Sequence, residues 1–96
     1  MDFKEIIKKI KNFGKDHPTY WGCALAGETG EMCNHLKKHE RDNLFPDKEE
    51  LGKELADIFI YCELIARLYG IDFEQSIIKK IKIVEERRKE LEAIKW

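Results

Sequence analysis

Hydrophobic and polar positions alternate along this chain with the period of an α-helix in four stretches. Phe3, Ile6, Ile7, Ile10 and Phe13 recur at helical spacing with lysines between them, which predicts a first helix from Asp2 to Phe13. Gly14 and the Asp16-His17-Pro18 step end it, because a proline disfavours α geometry for the residue before it. A second helix is predicted from Thr19, read as its N-cap, to Arg41. It carries Gly22, Gly27 and Gly30, each costing roughly 1 kcal/mol against alanine, so close approach of another helix or a ligand is expected there. After the short link from Asp42 to Phe45, Pro46 suits a first helical turn and Asp47, Glu49 and Glu50 favour the helix dipole. The third helix is therefore predicted from Pro46 to Tyr69, with Gly70 as its stop. Asp72-Phe73-Glu74-Gln75 resembles a capping box and opens a fourth helix, which continues to Lys95 on Phe73, Ile77, Ile81, Val84 and Leu91.

No strand pattern or repeat interrupts these stretches, and short links turn successive helices antiparallel. The predicted fold class is all-α, an antiparallel helical bundle of four helices in a single domain spanning residues 1–96. A chain this short buries a modest share of its surface, so completion by oligomerisation is expected. Composition changes the picture chiefly by exclusion. With 39% charged residues and a net charge of −1, there is no basic field for a nucleic acid polymer. No apolar run suits a membrane, and Met1-Asp2-Phe3-Lys4-Glu5 does not read as a secretory signal. The three cysteines, Cys23, Cys33 and Cys62, form no C-x-x-C pair, which fits a reduced, cytoplasmic protein.

Two acidic pairs carry the candidate chemistry. Glu28 and Glu31, and Glu54 and Asp57, are each three residues apart, which puts both members of a pair on one helical face. Most such pairs in a highly charged chain lie on solvated faces. Helix three argues otherwise. At about 100° per residue, Leu51, Leu55, Ile58, Cys62, Ile65 and Tyr69 form one apolar stripe, with Glu54 and Asp57 beside it. Tyr61, Leu64 and Leu68 extend the apolar cover over the same sector, while Glu63 and Arg67 mark a polar sector opposite. Carboxylates in a packing face are costly unless paired or metal-bound, so a cation is implied. Oxygen-only donors suit Mg²⁺, Mn²⁺ or Ca²⁺, and Mg²⁺ commonly combines a few carboxylates with substrate phosphates. On helix two, Glu28 and Glu31 share a side with Ala24 and His35, and Asn34 and Lys38 continue from Glu31.

The segment from Ala24 to Lys38, with Gly27-Glu28-Thr29-Gly30-Glu31 at its centre, and the segment from Lys53 to Tyr61, with Glu54-Leu55-Ala56-Asp57, resemble the two signatures of MazG-like pyrophosphohydrolases. Leu68 to Glu74 and Lys80 to Arg87 resemble the family's later turn and basic helix, though Lys82 or Val84 stands where the family often has asparagine. The resemblance spans Trp21 to Arg88 and implies Mg²⁺-dependent hydrolysis of a (deoxy)nucleoside triphosphate to monophosphate and pyrophosphate, with nucleotide-pool cleansing as one role, in a homodimer or homotetramer. Metal ligands Glu28, Glu31, Glu54 and Asp57 would then orient a water for in-line attack, with Mn²⁺ a substitute for Mg²⁺ and Glu31 as base. Lys38, Lys80 and Arg87 are the candidates for the phosphates, and His17, Trp21 and Asn34 for the base or sugar. Trp21 has a packing reading as well, since aromatics bring large burial area.

The rival readings are a non-catalytic helical oligomerisation module and a di-iron bundle. The latter needs Glu-x-x-His on two helices, whereas Glu31 and His35 are four residues apart. Cys33, His35 and His39 lack an evident fourth ligand for zinc.

Overall fold

The computed structural model describes residues 1–11 and 17–94. Four α-helices follow in order among them: α1 (Phe3–Lys9), α2 (Pro18–Asp42), α3 (Lys48–Leu68) and α4 (Phe73–Ala93). The all-α class holds, and each predicted helix has its counterpart.

The helix ends show where local chemistry sharpened the boundaries. Asp2 caps α1 by accepting from the Glu5 amide at 2.9 Å. The helix stops at Lys9, short of the Phe13 end expected from periodicity, and Arg67 supplies the reason. Its guanidinium donates to the carbonyls of Ile7 and Ile10, both at 2.6 Å, taking acceptors that another helical turn would use. Phe13, Gly14 and Asp16 lie outside the described residues, as does Lys95, the expected end of α4.

In α2 the cap is His17, not Thr19: Pro18 takes the first helical position, where its missing N–H costs nothing. Asn43 closes the helix in the left-handed region at φ 54°, which asparagine tolerates. In α3 the cap is Asp47, and Pro46 precedes the helix. The Asp47 carboxylate accepts from the amides of Glu49 and Glu50, satisfying two otherwise unpaired donors. The α3–α4 turn is a Schellman arrangement. Ile71 N–H donates to Ala66 and Gly70 N–H to Arg67, with Gly70 at φ +64°, where a side chain would be strained. Asp72 then caps α4 through the Gln75 amide.

Packing is concentrated in one pair of helices. Trp21 of α2 stacks near Tyr61 of α3, and His35 meets Glu54, so the partners run in opposite directions and α2 and α3 are antiparallel. Among the described residues the other helix pairs meet at only a few positions. The radius of gyration is 17.0 Å, against roughly 12.5 Å for a closed domain of this length. The expected four-helix bundle is thus open within one chain. Its apolar core consists of Trp21, Leu64 and Ala66, with Phe3, Phe59 and Phe73 forming a ring cluster that ties α1 and α4 to α3.

Three expectations from the pattern need correction. Leu55 and Tyr69, assigned to the apolar stripe of α3, are 51% and 62% exposed, because no described helix covers those two positions. Glu63, assigned to a polar sector, is 5% exposed. Arg67 Nε donates to its Oε1 at 3.2 Å while holding α1 in place, so the pair staples α1 onto α3. Finally, a Cβ built at Gly22, Gly27 or Gly30 meets nothing within 4 Å, so no neighbour among the described residues explains these glycines.

Candidate functional site: an acidic cluster between α2 and α3

Glu28 and Glu31 lie mid-way along α2, and Glu54 and Asp57 lie in the first half of α3. Because the helices are antiparallel neighbours, the two pairs are brought into one electrostatic field. Glu28 shows this most directly. Its carboxyl is held above the ordinary range, first by partial burial and then by the charges of Glu31, Asp57 and Glu54. Glu28, Glu54 and Asp57 are half-buried, whereas Glu31 is exposed at the edge.

Two further residues belong here that the acidic pattern did not single out. His35 Nε2 lies 3.1 Å from Glu54 Oε1; the carboxylate accepts, so Nε2 carries the proton. Tyr61 faces the acids as well. Burial, followed by the charges of Asp57, Glu28 and the nearby Tyr20, raises its phenol above the usual value and keeps it a neutral donor. Both have a signal in the sequence. Glu28, Glu31 and His35 share the spacing of Glu54, Asp57 and Tyr61, so each acidic pair is followed one turn on by a hydrogen-bonding ring.

The remaining candidates divide. Asn34 lies with Glu31 along a shallow cleft of about 430 Å³ lined by α2 residues, and Lys38 is exposed one turn beyond Asn34. Trp21 is 4% exposed, its ring between Tyr20 and Tyr61, so it packs the hairpin. His17 is exposed at the start of α2. Lys80 and Arg87 are exposed on α4, and no described contact joins them to the acids. Cys33, His35 and His39 do not come together: Cys33 is exposed, His35 pairs with Glu54, and His39 Nδ1 meets the Leu44 carbonyl at 3.0 Å. A separate cleft of about 460 Å³, between α1 and the α3–α4 turn, contains none of the four acids.

The pattern that defines the MazG-like family matches residues 23–95, which takes in all four acids, His35 and Tyr61. The chain belongs to the MazG-like family. No solved structure matches it at a significant level. The matched span of the MazG-like chain covers α3, α4 and nearly all of α2, and leaves out α1 and Trp21.

The donor chemistry of this MazG-like site fits a divalent cation. All four acidic groups offer oxygen, and Glu54 Oε2 is buried with no hydrogen-bond partner. As the side chains stand, no three His, Cys, Asp or Glu groups among the described residues converge closely enough to hold one ion. The repulsion felt at Glu28 sets a pH dependence. A carboxyl whose folded pKa is raised contributes stability that is fully present below its ordinary value of 4.5 and is lost as pH rises through the folded value. In EDTA, the melting temperature of the wild type should fall relative to Glu28→Gln as pH rises from 4.5 toward neutrality. Parallel melting curves for the two proteins would contradict the shared field.

Proposed function

We propose that this chain hydrolyses a (deoxy)nucleoside triphosphate to the monophosphate and pyrophosphate with Mg²⁺, for which Mn²⁺ can substitute. The observation that carries the reading is that Glu28, with Glu31 beside it on α2, feels the charges of Asp57 and Glu54 on α3, inside the span matched by the MazG-like family. Glu28, Glu31, Glu54 and Asp57 would hold the metal, which when bound neutralises triphosphate charge. Glu31, exposed at the solvent edge of the cluster, would take the proton from the attacking water. The water oxygen bonds to the α-phosphorus, the α–β bridging bond breaks, and pyrophosphate leaves. Lys38 and Asn34 lie on the flank of α2 that continues from Glu31, where a lysine can meet phosphate oxygens. Pyrophosphate release from a panel of ribo- and deoxyribonucleoside triphosphates, each with Mg²⁺, tests the reading. A lack of turnover on every nucleotide would overturn it.

The working unit in this reading is a homodimer or homotetramer. Ile81, Val84 and Leu91 on α4 are 51%, 45% and 68% exposed, and a groove of about 400 Å³ runs between Ile77, Ile81 and Val84, with Lys80 and Arg88 at its edges. Apolar surface of this kind is characteristic of a subunit contact. Lys80, and Arg87 farther along the helix, could then reach the acids from a partner copy. Sedimentation equilibrium should give a dimer or tetramer for the wild type and a smaller species for Ile81→Glu. A monomeric wild type would refute this part. No helix of the described residues is long and apolar enough to cross a membrane. The unpaired thiols of Cys23, Cys33 and Cys62 support placement in the reducing cytoplasm.

A further inference from the structure

We infer that His35 is a positioning residue for Glu54, holding one carboxylate oxygen so that the other is presented to the bound cation. The inference rests on the metal-site reading above. His35 Nε2 donates to Glu54 Oε1 at 3.1 Å, and Oε2 of the same carboxylate is buried without a partner. The pair joins the second half of α2 to α3, so the imidazole is carried on a rigid element and reaches across the helix interface. A glutamate has three rotatable bonds; anchoring Oε1 fixes them before the cation arrives and leaves Oε2 as the free donor. Ligating carboxylates are commonly held by hydrogen-bonding partners in this way.

A merely structural staple predicts something else. The His35 side chain is 42% exposed and that of Glu54 13%, and a pair that water reaches from the histidine side contributes on the order of 1 kcal/mol to stability. Such a staple would leave cation affinity unchanged. A positioning contact changes affinity and leaves the fold nearly untouched.

The experiment is a Mn²⁺ titration followed by electron paramagnetic resonance, on the full chain, for wild type, His35→Ala, His35→Gln and Glu54→Gln. His35→Ala should weaken Mn²⁺ binding by about 10–100-fold, with the metal-free melting temperature close to that of the wild type. His35→Gln, whose amide N–H can still donate, should recover most of the loss. If His35→Ala fails to fold, His35→Met, of similar length and without a donor, replaces it in the comparison with His35→Gln. Mn²⁺ binding by the donor-less variant as tight as wild type, or tighter, overturns the inference. If Glu54→Gln loses Mn²⁺ in that case, the metal site stands and only the role of His35 falls. No Mn²⁺ binding by the wild type removes both.

Discussion

Glu54→Gln is expected to lower Mg²⁺-dependent pyrophosphate release by roughly 10³-fold, the loss that several kcal/mol of metal-derived stabilisation implies. The substitution is close to isosteric, and its amide oxygen can still accept from His35, so α2 and α3 should remain joined. What it removes is the negative charge and the donor oxygen that has no partner in the protein. The variant should fold at least as well as the wild type without metal, because one of four mutually repelling acids is neutralised. Reduced activity with unchanged or raised melting temperature separates a functional carboxylate from a structural one. Full activity in Glu54→Gln, or activity in the wild type that survives EDTA, would sink the metal-carboxylate mechanism.

Trp21→Ala is expected to cost about 3–5 kcal/mol of folding stability, a large share of the roughly 5–15 kcal/mol available to a typical domain. Trp21 is 4% exposed and is one of few buried apolar side chains, with its ring 5.8 Å from that of Tyr61. Removing it leaves a hole at the end of the α2–α3 pair and frees Tyr61, which faces Asp57 and Glu28. Urea denaturation followed by circular dichroism measures the loss. A change below about 1 kcal/mol, coupled with a raised KM for nucleotide, would return Trp21 to the role of base platform.

The two variants probe the same interface from opposite sides. Trp21 holds α2 against α3 by apolar contact, and that contact brings four like charges together. The α2–α3 packing therefore supports the site at an electrostatic cost, which the pH dependence of Glu28 exposes. Arg67 plays a comparable part near the same end of the pair, in the last turn of α3. It joins Glu63 to the last carbonyls of α1 and so attaches a helix that lies outside the family-matched span.

The existence of four helices was legible because each carries its own 3.6-residue period, and the acidic pairs were legible because spacing of three is local. N-terminal caps were legible to within two residues, since Asp47 and Asp72 act on amides only two or three positions on. The anomaly of Glu54 and Asp57 beside an apolar stripe was also a local matter, and both are half-buried as that pattern implied. What periodicity could not supply was the partner of each face. Glu63 looks solvated on a helical wheel and is buried because α1, joined through Arg67 some sixty residues from its contact at Ile7, lies over it. His35 is an ordinary polar position on α2 until the antiparallel turn at Asn43 brings Glu54 against it. Helix content and acid spacing follow from interactions within one or two turns of chain, which the sequence by itself determines. Which carboxylate meets a histidine and which is covered depend on contacts between distant segments, and only the tertiary structure decides those.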